Sequence, residues 1–323
     1  MGRYLVRRTL FLVLVLFVVS LLTFTIFLKL PAGDPVRRMA GPQAEPEQLE
    51  SIRRGLGLDR PFWVQYWNFA RGLIPAPGLF LNEEVYFSYR NRIPVKEEIY
   101  RRLPVTLTLA LGAAVFWLVI GIPIGIASAI RRRTIVDRAG MLFALFGVSA
   151  PVFWLGYIML FIFWFQLHWA PAPGFDIGET VPQAVLAGKF LLPWITVSLL
   201  YAAFYARMVR GNLIEAMNED YIRTARAKGL SERRVIYKHG LRAGLTPVVT
   251  MLGVDLGYLF GGLLITETIF DLDGVGKYTI DAIRNGDFPS VMGVTVFAAF
   301  FVVVANLVVD VVYAFLDPRV RYT

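Results

Sequence analysis

Few side chains in this 323-residue chain are equipped for covalent or metal chemistry. There is no cysteine, which removes thiol nucleophiles, thiolate metal sites and disulfides and leaves the redox compartment unread. His168 and His239 are the two histidines, and no H-E-x-x-H pattern surrounds either. Gly276-Lys277 looks like the end of a phosphate-binding loop, but Asp271 stands where the first glycine belongs and Tyr278 replaces the Ser or Thr that would hold magnesium. What remains is electrostatic. Asp255 and Glu267 stand alone in apolar sequence, and eleven charged residues crowd into 212–247. An acid inside an apolar run is a candidate to meet a cation or amino group on a pathway, or to pair against a neighbouring helix.

The elements that must position these groups are membrane helices. The chain is 56% hydrophobic and 18% charged with a mean hydropathy of +0.57. Soluble domains carry about 25% charged residues, so the chain reads as an all-α polytopic membrane protein. Apolar runs at 10–30, 103–130, 140–167, 190–210, 245–268 and 290–315 give six expected spans, each near the roughly 20 residues that cross a bilayer. The first run is too long for a signal peptide and lacks a cleavage site, so it reads as an uncleaved span. Arg3, Arg7 and Arg8 before it, Arg131, Arg132, Arg133 and Arg138 after the second, and Arg319 and Arg321 at the end put both termini in the cytoplasm by the positive-inside rule. The loop 168–188, with Asp176 and Glu179, falls outside. Segment 31–102, mixed in charge and punctuated by Pro and Gly, is long enough to form a small extracytoplasmic cap. The net charge of +9 is accounted for by membrane ends and lipid, with no nucleic-acid module in view. Gly121, Pro123, Gly125, Pro151 and Pro193 are helix breakers within spans, read first as packing kinks.

Stretch 212–247 cannot be a span. One charge at the bilayer centre costs about 2.5–3.5 kcal/mol, and this stretch has eleven charged residues. It is patterned nonetheless. Ile214, Met217, Tyr221 and Ala225 recur at helical spacing and predict an amphipathic helix opened by Glu215 and Ala216. Gly229 marks a turn, and Ser231 with Glu232 reads as the start of a second helix. Two short helices between two spans form a docking element; the plainer reading is a basic helix lying on the inner leaflet.

The same stretch resembles the "EAA" loop of importer-type ABC transporter permeases, in particular the dipeptide/oligopeptide/nickel permease family. Glu215-Ala216, Asp220-Tyr221, the run Ala225-Arg226-Ala227-Lys228-Gly229-Leu230, His239, Arg242 and Pro247 carry the likeness. Other segments extend it: Pro31-Ala32-Gly33-Asp34-Pro35, Gly55 to Pro61 with Gln65-Tyr66, Glu267-Thr268-Ile269-Phe270, and Asp310 to Tyr313 with Asp317-Pro318-Arg319. The set is similar to the B-type half of the permease pair. Departures are Ala32 within the usual Pro-Gly-Asp-Pro, Ala243 after Arg242, Asp273 before Gly274, and an altered segment near residues 75–89.

The resemblance implies a type I ABC importer permease fold, with 1–30 as the first span, 31–102 as the cap and 103–323 as a five-helix core that includes the coupling loop 212–242. It implies no enzyme activity in this chain: ATP and magnesium would be bound by two partner ATPase subunits. A related C-type permease would form a heterodimer with it, an extracytoplasmic binding protein would deliver substrate, and the complex would lie in the inner (plasma) membrane of a prokaryote. Glu215, Ala216, Asp220, Tyr221, Ala225, Arg226, Lys228 and Gly229 are the implied coupling residues. Asp255 and Glu267 are the pathway candidates. Short peptides are the expected substrate, with nickel, a metal chelate or glutathione as rivals inside the family. From other classes, an ion-driven secondary transporter would need repeats and several midspan acids, and a membrane enzyme would need clustered His, Asp or Ser.

Overall fold

The structure, a computed structural model, describes residues 2–29, 34–40, 45–55, 57–74, 81, 85–260 and 263–316. Pro31, Ala32 and Gly33, most of 75–84, and Asp317, Pro318, Arg319 and Arg321 lie outside the described residues, as does the side chain of Asp310. In chain order the helices are α1 (Gly2–Phe24), α2 (Pro35–Ala40), α3 (Pro46–Gly55) and α4 (Phe62–Ala70). A short antiparallel hairpin follows, β1 (Phe87–Ser88) and β2 (Ile93–Pro94), in which Phe87 faces Pro94 and Ser88 faces Ile93. Then come α5 (Val95–Ile130), α6 (Ile135–Ser149), α7 (Val152–Met159), α8 (Val181–Leu186) and α9 (Leu191–Ala216). The remainder is α10 (Asp220–Ala227), α11 (Glu232–Arg234), α12 (Leu241–Gly244), α13 (Thr246–Phe260), α14 (Leu264–Ile269), α15 (Val275–Asn285) and α16 (Phe288–Leu316).

Among the described residues, four stretches are long and apolar enough to cross a membrane unbroken: Thr9–Leu28, Val95–Ile130, Leu191–Ala216 and Phe288–Val308. Two bent pairs, Ile135–Ser149 with Val152–Gln166 and Glu232–Gly244 with Thr246–Phe260, bring the count to six when each is one span. The breakers act unequally. Pro123 sits inside an uninterrupted α5, and Pro193 falls in the first turn of α9, where no intrahelical N–H is lost. Pro151 does break its span. Ala150 before it is extended at φ −79°, ψ 123°, as a residue preceding proline prefers, and the two limbs meet at 102°. The fifth hydrophobic run is divided as well: α13 ends at Phe260 and α14 begins at Leu264.

The chain forms two compact units, Met1–Leu107 with Gly257–Thr323, and Thr108–Leu256. In the first, the described residues of 34–94 pack onto α1 and onto α15 and α16. Phe24, Tyr66, Phe69 and Tyr86 share one buried core with Tyr278, Met292 and Phe297. Burying a large apolar side chain stabilises a core by about 1.5–3 kcal/mol, and polar bonds fix the alignment here. Tyr66 Oη and Ser20 Oγ lie 2.7 Å apart, and Ser88 donates to Asp287 at 2.6 Å. In the second unit α5, α6, α7 and α9 pack closely. A Cβ on Gly121 would come within 2.8 Å of the Ala202 carbonyl, and one on Gly125 within 2.6 Å of the Ala206 carbonyl, so small residues let α5 and α9 touch backbone to backbone.

Candidate functional site

The polar stretch is a folded joint, and its helices start later than expected. Glu215 and Ala216 do not open a helix: they are the last two residues of α9, which runs 26 residues from Leu191. The acid at the positive end of the short helix is instead Asp220, in the first turn of α10 behind Glu219 at φ −70°, ψ 151°. The break at 217–219 contains no Gly or Pro; the Asn218 and Glu219 N–H groups bond the Glu215 and Ala216 carbonyls at 3.0 and 3.2 Å, and the Asn218 side chain donates to the Ile214 carbonyl at 3.0 Å. Ending α9 there shifts the phase of the apolar stripe. Ile222 and Ala225 are the buried positions of α10, packed with Val235, Met217 and Leu230, whereas Tyr221 is 44% exposed. The outward face of α10 therefore presents Asp220, Tyr221, Arg223 and Arg226, followed by Lys228.

Gly229 closes α10 at φ 77°, with its N–H on the Arg226 carbonyl at 2.9 Å. Nothing lies within 4 Å of where its Cβ would be, so the glycine serves the backbone conformation alone. Ser231 takes the N-cap position of α11 as expected, without a side-chain cap. Across the turn Arg226 forks onto Glu232 at 2.7 and 3.1 Å, tying α10 to α11. The chain then folds back on α9: Gly240 packs on Met217 and Leu213, and Asn212 Nδ2 donates to the Gly244 carbonyl at 3.4 Å.

A second polar link on α9 is absent from the sequence reading. Arg210 donates to both oxygens of Asp137 at 2.6 and 3.0 Å, and the Arg133 N–H adds a third bond at 2.9 Å. Asp137 is 5% exposed, so the start of α6 is latched to α9 two turns before the joint. Asp137 is the lone acid among Arg131, Arg132, Arg133 and Arg138, which was a usable signal.

The two isolated acids have different surroundings. Glu267, in α14, is fully buried. It accepts from the Thr106 hydroxyl at 2.8 Å, the Lys277 N–H at 2.9 Å and the Leu263 N–H at 3.3 Å. Thr106 in turn accepts from the Val275 N–H at 2.9 Å. One oxygen of Glu267 thus caps the N-terminus of α15 through the Lys277 N–H, the other takes Thr106 and Leu263, and the buried carboxyl faces no open space, which gives it a positioning role in this conformation. Asp255 in α13 is partly exposed and accepts from the Tyr205 hydroxyl at 2.6 Å. Among the described residues, no three His, Cys, Asp or Glu side chains are grouped to hold a metal.

Helices long and apolar enough to cross a membrane, a break at a proline and a charged joint between two of them make this an integral membrane subunit of helical build. Residues 121–322 match the family described as "Binding-protein-dependent transport system inner membrane component", and residues 1–110 match "Binding-prot-dependent transport system membrane comp, N-term". The chain belongs to this family of inner-membrane components, and it is a permease subunit of a bacterial ABC importer. Among its relatives, the glutathione transport system permease protein GsiC of Escherichia coli O6:H1 is 36% identical over 322 residues, covering all of both chains. The protein of the same name from Salmonella choleraesuis is 37% identical over the same length. The MetNI methionine ABC transporter, solved in inward-facing conformations, matches with a TM-score of 0.55 at 20% identity, over 69% of this chain and 98% of that one. That likeness concerns the fold, which is the type I importer permease fold.

Proposed function

We propose that this chain is the B-type permease half of an importer for short peptides, driven by two ATPase subunits that bind the ATP and magnesium. The observation that carries the substrate reading is the full-length similarity to permeases named for glutathione, itself a short peptide. A C-type permease completes the pathway, and an extracytoplasmic binding protein delivers the substrate. Both termini and stretch 212–242 face the cytoplasm, in keeping with the basic residues at those ends.

Coupling runs through the joint. An ATPase cleft receives α10, and the exposed Asp220, Tyr221, Arg226 and Lys228 contact it. Ala225 and Gly229 keep the helix seated and turned, and Glu215-Ala216 end the helix that is pushed. Support comes from the packing: α10 rests on Val235, and the segment behind it rests on α9, so a displacement of α10 is passed to both α9 and α13. Nickel or its chelates are the rival substrate, and glutathione is the rival within the peptide class. Reconstituting the importer in liposomes with its binding protein and measuring ATP-dependent uptake of di- and tripeptides, glutathione and nickel tests the reading. Peptide accumulation is the expected result; nickel uptake without peptide uptake would overturn it.

A further inference from the structure

We propose that Asp255, Tyr205, Tyr201 and Trp117 form a recognition site for an organic ammonium group on the translocation path, taking the free amino end of a peptide; this rests on the peptide-importer reading above. Asp255 lies ten residues into α13, in apolar surroundings, and is only partly covered. One of its oxygens accepts from Tyr205; no described residue donates to the other, and no described Lys, Arg or His pairs with it. A bare carboxylate within an apolar span is unfavourable against lipid, so its open side is assigned to water and to a passing cation.

The surroundings suit an ammonium better than a metal. Tyr205 is fully buried and holds the carboxylate in one orientation. Trp117 of α5 stacks on Tyr201 with ring centroids 4.5 Å apart and planes 23° apart, and its ring lies 5.9 Å from that of Tyr205. Tyr201 and Tyr205 are one helical turn apart on α9, so the three rings form a wall beside the acid. An ammonium gains an ion pair from the carboxylate and attraction from the ring of the partly exposed Tyr201, which the fully buried Trp117 backs, without a shell of oxygen ligands. A small metal ion requires several oxygen or nitrogen donors, and among the described residues Asp255 belongs to no group of three His, Cys, Asp or Glu side chains.

The test uses the complete importer in proteoliposomes with a labelled tripeptide and its N-acetylated counterpart. The binding protein is common to every sample, so comparing wild type with variant for each peptide isolates the permease. Asp255→Asn is expected to lower uptake of the free-amine peptide about tenfold or more, through its half-saturating concentration, and to leave the acetylated peptide unchanged. Tyr201→Leu, which leaves no polar group unpaired, is expected to lower only the free-amine peptide, by about two- to fivefold, and decides the question if Asp255→Asn does not assemble. Equal losses for both peptides, or none, would remove the ammonium site while leaving the peptide reading in place. A wild-type importer that takes up neither peptide would remove the peptide reading itself and the site with it.

Discussion

Glu267 and Asp255 look alike in the sequence, each an acid among apolar residues, yet one is spent on backbone and the other is open. The distinction depends on partners far along the chain: Thr106 is 161 residues from Glu267, and Tyr205 is 50 from Asp255. No local pattern announces either pairing. Glu267→Gln turns an amide toward N–H donors and is expected to cost about 1–3 kcal/mol, seen as a lower melting temperature of the purified protein in detergent. An unchanged melting temperature would mean that the cap on α15 is dispensable. Asp137 and Arg210 make the sharper case. Asp137→Leu or Arg210→Met alone leaves one partner unpaired and is expected to cost about 3–5 kcal/mol, whereas the double replacement Asp137→Leu with Arg210→Met costs clearly less than the sum. Additive losses in the same melting assay would count against the latch.

A pH dependence follows at residue scale in the loop 167–190. Lys189 reaches Asp176 and Glu179, each at 2.7 Å, and the Asp176 N–H also donates to Glu179 at 2.8 Å. The hydrogen bond from Lys189, then that from the backbone, holds the Glu179 carboxyl below its usual range. A carboxyl depressed on folding stabilises fully above its unfolded pKa, about 4.3, and that contribution is lost as pH falls through the lower folded value. Amide exchange in this loop is therefore expected to be constant, apart from the intrinsic rate, from neutral pH to about 5 and to accelerate only in stronger acid. Lys189→Met is expected to move the acceleration toward neutral pH; an unmoved profile would refute the assignment.

At the scale of elements, the joint was readable in kind but not in phase. Charge density excluded a span, and Gly229 and Ser231 announced the turn and the second helix. The start of α10 was hidden because Met217, Asn218 and Glu219 carry no breaker. The stop accompanies the burial of Ile222 and Ala225 against Val235, a contact between segments. Pro151 illustrates the converse, a local signal whose consequence, a 102° bend, depends on how the second limb packs. Gly229 gives a clean test of element geometry. Because its surroundings are open, Gly229→Asn should be nearly silent, while Gly229→Val is expected to cost about 1–2 kcal/mol of joint stability, read as faster amide exchange in 220–234. Equal behaviour of the two variants would show that the left-handed turn is not what holds the joint.

For the molecule as a whole, the hydrophobic runs marked six spans because their length and composition are local properties. The cap was less legible. Its described core residues, such as Tyr66, Phe69 and Tyr86, bury with Tyr278, Met292 and Phe297 nearly 200 residues later, and no periodicity within the segment points there. Substrate class was carried by resemblance rather than by any motif. The central claim is that the joint at 217–244 transmits work from ATPase subunits to the helices of this permease. The most direct measurement is peptide uptake per ATP hydrolysed by the reconstituted importer carrying Gly229→Val, compared with wild type and Gly229→Asn. The account predicts that this ratio falls severalfold in the valine variant alone, with all subunits still folded; an unchanged ratio would contradict it.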